Sequence, residues 1–240
     1  MSLGDRVLHD SAFVLHVFPY RETSLFLDAL TERHGRLRLL AKGAKRGRQP
    51  LSRLLTPFNS LSIAFTSRGD PPILVDAEQL RQFPSLQGRA MFCGFYVCEL
   101  LMKLLPLQDA SSGIYELSLQ TLRQLEASQT EEHVLRFFEV RLLSELGYGL
   151  RLEEDHQGRI IQAERRYTYD VEQGPREVNS DERGSMRGAT LLALARQSSM
   201  NQTELREAKR LMRSIIQYHL NGRPLKSREL FKPLIPSAPA

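Results

Sequence analysis

The chemically most distinctive part of this sequence is a run of cationic residues without acidic ones. Between Arg33 and Gly69 there is no aspartate or glutamate, but there are nine lysines or arginines: Arg33, Arg36, Arg38, Lys42, Lys45, Arg46, Arg48, Arg53 and Arg68. Such side chains neutralise phosphate groups and donate charge-assisted hydrogen bonds to them. This basic window therefore predicts a surface that binds a polyanion, with nucleic acid as the first candidate.

A second candidate for chemistry is the acidic run Glu153, Glu154 and Asp155, which is followed by His156. Carboxylates can hold magnesium in a nuclease, but adjacent carboxylates in a polar segment are usually only solvated. No glycine-rich loop ends in Gly-Lys-Ser or Gly-Lys-Thr, so a site for ATP hydrolysis is not indicated. A metal-dependent nuclease and a protein adaptor that binds an acidic partner through the basic window stay open as alternatives.

The composition is that of a folded protein whose charge is segregated. The 240 residues are 41% hydrophobic and 25% charged, with a net charge of +5, less than the basic window alone contributes. Cys93 and Cys98 lie in an apolar segment; they are too few for a disulfide framework and too far apart on a helix to share a metal. Without a secretory signal or a span long enough for a bilayer, a cytoplasmic protein is expected.

The basic window lies in a region whose pattern predicts β-strands. Short β-rich runs at residues 12–17, 24–30, 36–41, 61–65 and 73–77 favour a five-stranded barrel of the OB-fold type. Alternation places Arg36 and Arg38 on one face of the strand and Leu37 and Leu39 on the other. The two arginines either contact phosphate or only form the solvated face of an amphipathic strand. Residues 42–48, called the basic loop below, follow that strand. Phe18 and Tyr20 are either stacking platforms for bases or core residues at strand ends.

From residue 86 the period becomes helical. Helices are predicted at residues 86–105, 112–125, 130–146, 186–195 and 201–220, the last with Asn201 as its N-cap and a cationic row at Arg206, Arg210 and Arg213. The fold class is therefore α+β. The predicted domains are a barrel at 1–80, a helical domain at 81–150 with 185–232, a small, polar and weakly packed insert at 151–184, and a flexible tail at 233–240.

Five motifs occur in an order and at a spacing that are not generic. They are Phe13-Val14-Leu15-His16, Glu22-Thr23-Ser24-Leu25, Leu40-Ala41-Lys42-Gly43-Ala44, Leu146-Gly147-Tyr148-Gly149 and Gly222-Arg223-Pro224-Leu225-Lys226-Ser227-Arg228-Glu229-Leu230-Phe231. Together they resemble the RecO family of bacterial DNA repair and recombination mediators over residues 12–231.

The resemblance implies an N-terminal OB-fold, a helical body and a small insert that holds zinc in some relatives. No cysteine lies between residues 150 and 184, so thiolate ligands are missing here and neither metal nor cofactor is expected. The resemblance also implies a protein that is not an enzyme and that associates with the nucleoid in the cytoplasm. Such a protein binds single- and double-stranded DNA, anneals complementary strands, and works with RecR to load RecA onto DNA coated by single-strand-binding protein.

The site residues follow from charge and resemblance together. The predicted DNA contacts are Arg36, Arg38, Lys42, Lys45, Arg46, Arg48, Arg206, Arg210, Arg213, Lys226 and Arg228. In the C-terminal motif, Leu225, Leu230 and Phe231 are expected to anchor the segment while its cations face solvent. The tail of single-strand-binding protein is expected at a pocket formed by Leu135, Arg136, Phe138 and Arg141, although spacing alone favours an ordinary core helix there.

Overall fold

A computed structural model describes residues 7–66, 69–81, 86–127, 130–179 and 182–231. Two compact units make up the chain: Met1–Glu126 with Leu225–Ala240, and Ala127–Pro224. The predicted division into barrel, helical domain and insert has different boundaries, since the predicted helical domain has residues in both units, and it stays a prediction. The predicted tail at 233–240 and Arg68 of the basic window lie outside the described residues.

The first unit is built on a five-stranded antiparallel sheet. Its strands are β1 (Val7–Tyr20), β2 (Ser24–Thr31), β3 (Gly35–Ala41), β4 (Ser60–Thr66) and β5 (Leu74–Arg81), in the order β3-β2-β1-β4-β5. The barrel closes where Leu40 forms a parallel bridge with Ile73 and its N–H donates to the Pro72 carbonyl at 2.9 Å. A register shift between Val14 and His16 marks a bulge that bends the long β1. The predicted five-stranded OB-fold is confirmed.

Strand alternation sets the inside and the outside of the barrel at β3. Leu37, Leu39 and Ala41 are buried in the barrel core, whereas Arg36 and Arg38 lie on the other face of the strand. Each buried leucine contributes about 1.5–3 kcal/mol relative to an exposed one, so a shift of register by one residue is strongly disfavoured.

Two helices and a C-terminal turn complete the first unit. They are α1 (Gly88–Leu104), α2 (Ser112–Ala127) and a 3-10 helix at Lys226–Phe231. Helix α1 stops before Pro106, as predicted, and Leu105 is extended. Cys93 and Cys98 are buried free thiols, and burial raises the pKa of Cys98.

The second unit combines helices with a small sheet. It contains α3 (Glu131–Glu145), α4 (Gly188–Arg196) and α5 (Gln202–His219), and the strands β6 (Arg166–Asp170), β7 (Gly174–Val178) and β8 (Met186–Arg187) in the order β7-β6-β8. None of the helices in the described ranges is long and apolar enough to cross a membrane.

The polar insert is well packed, so the prediction of a weakly packed segment is wrong. Its few apolar residues, Leu152, Ile161 and Tyr167, are buried in one core with side chains of α4 and α5. Met186 belongs to β8 rather than to the start of a helix. A small sheet needs few apolar side chains when a helix covers one of its faces, and composition alone does not reveal that cover.

Helix α5 begins as the sequence predicts. The Asn201 side chain accepts hydrogen bonds from the N–H groups of Thr203 (2.9 Å) and Glu204 (3.1 Å), and the Glu204 carboxylate accepts from the Asn201 N–H at 2.8 Å. Such a capping box contributes about 1 kcal/mol and fixes the register in which the cationic row is displayed.

Candidate nucleic-acid interface

The basic loop is held by one buried alanine. Ala44 is only 3% exposed and packs in the barrel core. The peptide group that follows Ala44 makes two backbone hydrogen bonds: the Lys45 N–H donates to the Thr23 carbonyl at 3.0 Å, and the Ser52 N–H donates to the Ala44 carbonyl at 2.9 Å. The loop is therefore pinned to the barrel at its middle, and its charged side chains are directed away from the core.

Glycines shape the turns of this loop. Gly43 and Gly47 have φ of 64° and 91°, values that disfavour residues with a Cβ. The Arg46 N–H donates to the Gly43 carbonyl at 2.8 Å. The four loop cations, Lys42, Lys45, Arg46 and Arg48, are all exposed, and none is ion-paired within the described part of the chain. Such a cluster attracts phosphate groups with little competition from the protein's own carboxylates.

The rest of the basic window is partly neutralised by carboxylates from neighbouring strands. Arg38 forms a bidentate pair with Asp28, its register partner on β2, at 2.9 Å and 2.8 Å. This hydrogen-bonded pair raises the pKa of Arg38. Asp10 pairs with Arg33 at 3.3 Å and with His34 at 2.6 Å. Burial alone would raise the pKa of Asp10, but the hydrogen bonds from His34 and Arg33 outweigh this effect, so the pKa lies below its usual value.

Arg36 shares the outer face of β3 with Arg38, as predicted, but it is not exposed there, so the prediction of a solvent-exposed cationic face is wrong for Arg36. Its guanidinium is half-buried and donates to the carbonyl of Met102 near the C-terminus of α1. Burial lowers the pKa of Arg36. The negative end of a helix dipole is a natural partner for an arginine, and it leaves this one poorly placed to reach phosphate.

An apolar cleft with one cation adjoins β3. We call it the aromatic cleft. It has a volume of about 490 Å³ and is lined by Phe18, Phe26, Arg38, Asp70, Pro71, Pro72, Leu107 and Gln108. Phe18 is 37% exposed, and the Arg38 guanidinium lies 5.6 Å from the centroid of its ring. The sequence pattern indicates Phe18 as a possible stacking platform but not the cleft, because the walls of the cleft come from segments far apart in the chain.

The walls of the aromatic cleft are fixed by backbone hydrogen bonds to β3. On one side the Gln108 N–H donates to the Arg36 carbonyl at 2.9 Å, and on the other the Leu40 N–H donates to the Pro72 carbonyl at 2.9 Å. Arg38 lies midway between these two attachments. The cleft is therefore preformed, which lowers the entropy cost of binding.

The cationic row on α5 is only partly free. Arg206 and Arg213 are exposed, as predicted from helical spacing. Arg210 is also exposed, but its guanidinium donates to the Ser185 carbonyl at 2.6 Å and supports the connection into β8. Two of the three predicted side chains are therefore available to a ligand of the second unit, and their contact with DNA stays a prediction.

The C-terminal motif is attached through Glu99 on α1. The Glu99 carboxylate accepts hydrogen bonds from the Lys226 N–H (2.9 Å), the Ser227 N–H (2.7 Å) and the Ser227 hydroxyl (2.6 Å). Burial alone would raise the pKa of Glu99, but these hydrogen bonds outweigh this effect, so the pKa lies below its usual value. The carboxylate thus caps the 3-10 helix at its N-terminus, where an anion is favoured.

Two expectations about this motif are wrong. Leu230 is 43% exposed and does not anchor the segment, whereas Leu225 is buried and the Phe231 ring packs 6.0 Å from that of Phe92. Arg228 is half-buried, with a buried Nη2 that has no hydrogen-bond partner among the described residues. Of the two predicted cations only Lys226 is exposed, because a 3-10 helix does not alternate like a strand.

The pocket predicted on α3 is not open. Leu135, Arg136 and Phe138 are buried, and the Arg136 guanidinium pairs with Glu139 at 2.7 Å, so the expectation of exposed apolar side chains beside Arg136 is wrong. Arg141 alone among the four predicted residues is exposed. The spacing of Arg136 and Glu139 three residues apart was the available signal, since such residues are neighbours on a helix.

Asp155 of the acidic run stabilises a turn through its hydrogen bonds. Asp155 is 2% exposed, and its carboxylate accepts hydrogen bonds from the N–H groups of Gln157 and Arg159 and from the Arg159 guanidinium. Burial alone would raise the pKa of Asp155, but these hydrogen bonds outweigh this effect and lower the pKa to about 2. Within the described ranges, no three histidine, cysteine or acidic side chains are grouped to hold a metal ion. The nuclease alternative therefore loses its central carboxylate.

Comparison with known proteins agrees with the geometry. The profile described as Recombination protein O N terminal matches residues 5–83, and that described as Recombination protein O C terminal matches residues 86–229. A DNA repair protein RecO from Methylococcus capsulatus is 47% identical over 229 residues, which cover 95% of this chain and 94% of the relative. One from Dechloromonas aromatica is 40% identical over 239 residues, which cover 98% of this chain and 99% of the relative.

These matches extend over both compact units and include every motif on which the resemblance rested. The N-terminal match spans the OB-fold with its basic loop, and the C-terminal match spans the helices and the small sheet. The resemblance drawn from the motifs is confirmed, and the chain belongs to the RecO family of DNA repair proteins.

Proposed function

We propose that this protein is a non-enzymatic recombination mediator that binds single- and double-stranded DNA and anneals complementary strands. With RecR it would help to load RecA onto DNA coated by single-strand-binding protein, and it would act at the nucleoid. The observation that supports this best is the basic loop, whose four exposed cations have no ion-pair partner in the described ranges and are pinned to the barrel by Ala44.

The proposed mechanism is electrostatic. Two DNA strands repel each other through their phosphates, and loop cations that contact both strands lower this repulsion while the bases find their partners. Each contact releases condensed counterions, so binding weakens steeply as salt rises. Such annealing needs no nucleotide and no covalent step. Arg206 and Arg213 on α5, and Lys226 in the C-terminal motif, are further exposed cations for this purpose.

Binding of the tail of single-strand-binding protein stays a prediction. Its acidic, phenylalanine-ended chain requires a cation and an apolar pocket. Of the four residues predicted on α3, only Arg141 is accessible in the described conformation. A variant at Arg141 is therefore a cleaner test of tail binding than one at Arg136, whose loss also removes a buried ion pair.

Strand annealing tests the proposal. Complementary oligonucleotides, one of them fluorescently labelled, are mixed with the wild type or with the variant Lys45→Glu/Arg46→Glu/Arg48→Glu, with and without single-strand-binding protein. We expect the variant to anneal much more slowly than the wild type, because reversed charges in the basic loop repel phosphate. Equal annealing by the variant and the wild type would contradict the proposal.

A matched control has the same total charge as the loop variant. The variant Arg123→Glu/Arg176→Glu/Arg196→Glu reverses three exposed cations outside the basic loop and should anneal like the wild type. Incubation of labelled DNA with magnesium separates the enzyme alternative, since shortened products would show a nuclease. Failure to bind a naked oligonucleotide at low salt would instead favour the protein adaptor.

A further inference from the structure

We propose that the aromatic cleft binds one unpaired nucleobase of the DNA strand whose phosphates contact the basic loop. This rests on the proposed function and assigns a second, chemically different contact to the same barrel. The cleft has an exposed aromatic ring at Phe18, a cation at Arg38 and apolar walls at Leu107, Pro71 and Pro72. A base is planar, polarisable and uncharged, and aromatic rings and guanidinium groups are the side chains on which bases stack.

The cleft and the basic loop lie in series along one strand of the barrel. Lys42 follows Arg38 by four residues, which spans about 13 Å of extended chain. Strand β3 thus presents the cleft at Arg38 and leads directly into the loop cations. One DNA strand can therefore place a base in the cleft while its neighbouring phosphates meet the loop.

The charges around the cleft favour a neutral ligand over an acidic peptide. The Asp28 carboxylate already accepts hydrogen bonds from Nε and Nη2 of Arg38, so the charge of this arginine is compensated before any ligand binds. Asp70 lies at the cleft as a second carboxylate, which repels an anionic chain but can accept a hydrogen bond from the amino group of a base. An acidic tail is thus disfavoured in the place where a base is stabilised.

A base in a duplex is stacked and paired, so it cannot enter the cleft without being extruded from the helix. The cleft therefore distinguishes single-stranded from double-stranded DNA, whereas the basic loop contacts the phosphates of both. A protein that holds one base out of the stack also keeps the DNA strand extended, which leaves the neighbouring bases exposed for pairing.

The test separates bases from phosphates. Fluorescence anisotropy measures the affinity of the wild type for a mixed-sequence oligonucleotide and for an abasic oligonucleotide of equal length. The wild type should prefer the strand with bases. Phe18→Ala should lose about tenfold in affinity for that strand, and its affinity for the abasic strand and its salt dependence should not change. Leu80→Ala is the matched control, since Leu80 is exposed on β5 and does not line the cleft.

Three outcomes would overturn the proposal. The first is equal affinity of the wild type for both oligonucleotides. The second is a loss of affinity in Phe18→Ala that is the same for both oligonucleotides. The third is that Phe18→Ala abolishes binding of an acidic phenylalanine-ended peptide and leaves the preference for bases intact. The loop variant Lys45→Glu/Arg46→Glu/Arg48→Glu should instead weaken both oligonucleotides alike. If that variant behaves like the wild type, the proposed function fails; if only the preference for bases is absent, the assignment of the cleft fails.

Discussion

Neutralising three cations of the basic loop should remove a countable number of phosphate contacts. The variant Lys45→Gln/Arg46→Gln/Arg48→Gln keeps side chains of similar polarity and adds no repulsion. The loop should keep its shape, because it is anchored by the buried Ala44 and by backbone hydrogen bonds that these substitutions do not touch. The change in affinity then reports lost charge rather than lost structure.

The magnitude follows from the exposure of these side chains and from counterion release. Each phosphate contact to single-stranded DNA contributes about 0.7 to the slope of log K against log salt concentration. Since all three side chains are exposed and without an ion-pair partner among the described residues, loss of three contacts should flatten this slope by about 2. Between about 50 and 200 mM salt, the wild type should lose about 20-fold more affinity than the variant.

The measurement is a salt titration of oligonucleotide binding by fluorescence anisotropy. The control Arg123→Gln/Arg176→Gln/Arg196→Gln loses the same total charge at exposed positions outside the loop and should keep the wild-type slope. A slope that falls equally in both variants would show a diffuse field effect. A slope unchanged in the loop variant would refute the assignment of phosphate contacts to the basic loop.

Three further predictions concern stability and are measured by urea unfolding. Arg136→Ala should lower the free energy of unfolding by about 3–5 kcal/mol because it removes an ion-pair partner of the buried Glu139 carboxylate, and a loss below about 1 kcal/mol would contradict the buried pair. Glu99→Gln should cost about 1–3 kcal/mol at neutral pH. Burial raises the pKa of Glu99, but its hydrogen bonds lower the pKa by more, so the pKa in the folded state lies below the ordinary 4.5. The ionised carboxylate therefore gives its full stabilisation above pH 4.5. The contribution is lost as the pH falls through the folded pKa, and a difference between variant and wild type that persists in acid would contradict this. Gly35→Ala should destabilise more than Gly47→Ala, since both have positive φ but only at Gly35 would the new Cβ lie 2.0 Å from a backbone oxygen, that of the Asp109 carbonyl.

Local patterns predicted the elements that short-range physics decides. The alternation of Arg36, Leu37, Arg38 and Leu39 predicted a strand with one buried face, and Asn201 with Glu204 predicted the start of α5. These succeed because strand alternation and helix capping depend on residues a few positions apart. The OB-fold followed from the number and spacing of such strands.

Long-range neighbours decided what the sequence left open or predicted wrongly. The basic window contains no acid, yet Asp28 and Asp10 reach Arg38 and Arg33 from adjacent strands. The apolar residues of the insert were too few to predict packing, but the cover supplied by α4 and α5 buries them.

The sequence by itself determined the family, the OB-fold and the place of the basic loop, because motif order, strand alternation and charge density are properties of the linear chain. Only the tertiary structure decided which cations stay free. It paired Arg38 with Asp28, turned Arg36 toward α1, buried Arg136, and assembled the aromatic cleft from segments distant in the chain. The physical reason is that a side chain's charge and exposure depend on whatever the fold packs beside it, and those neighbours are seldom neighbours in sequence.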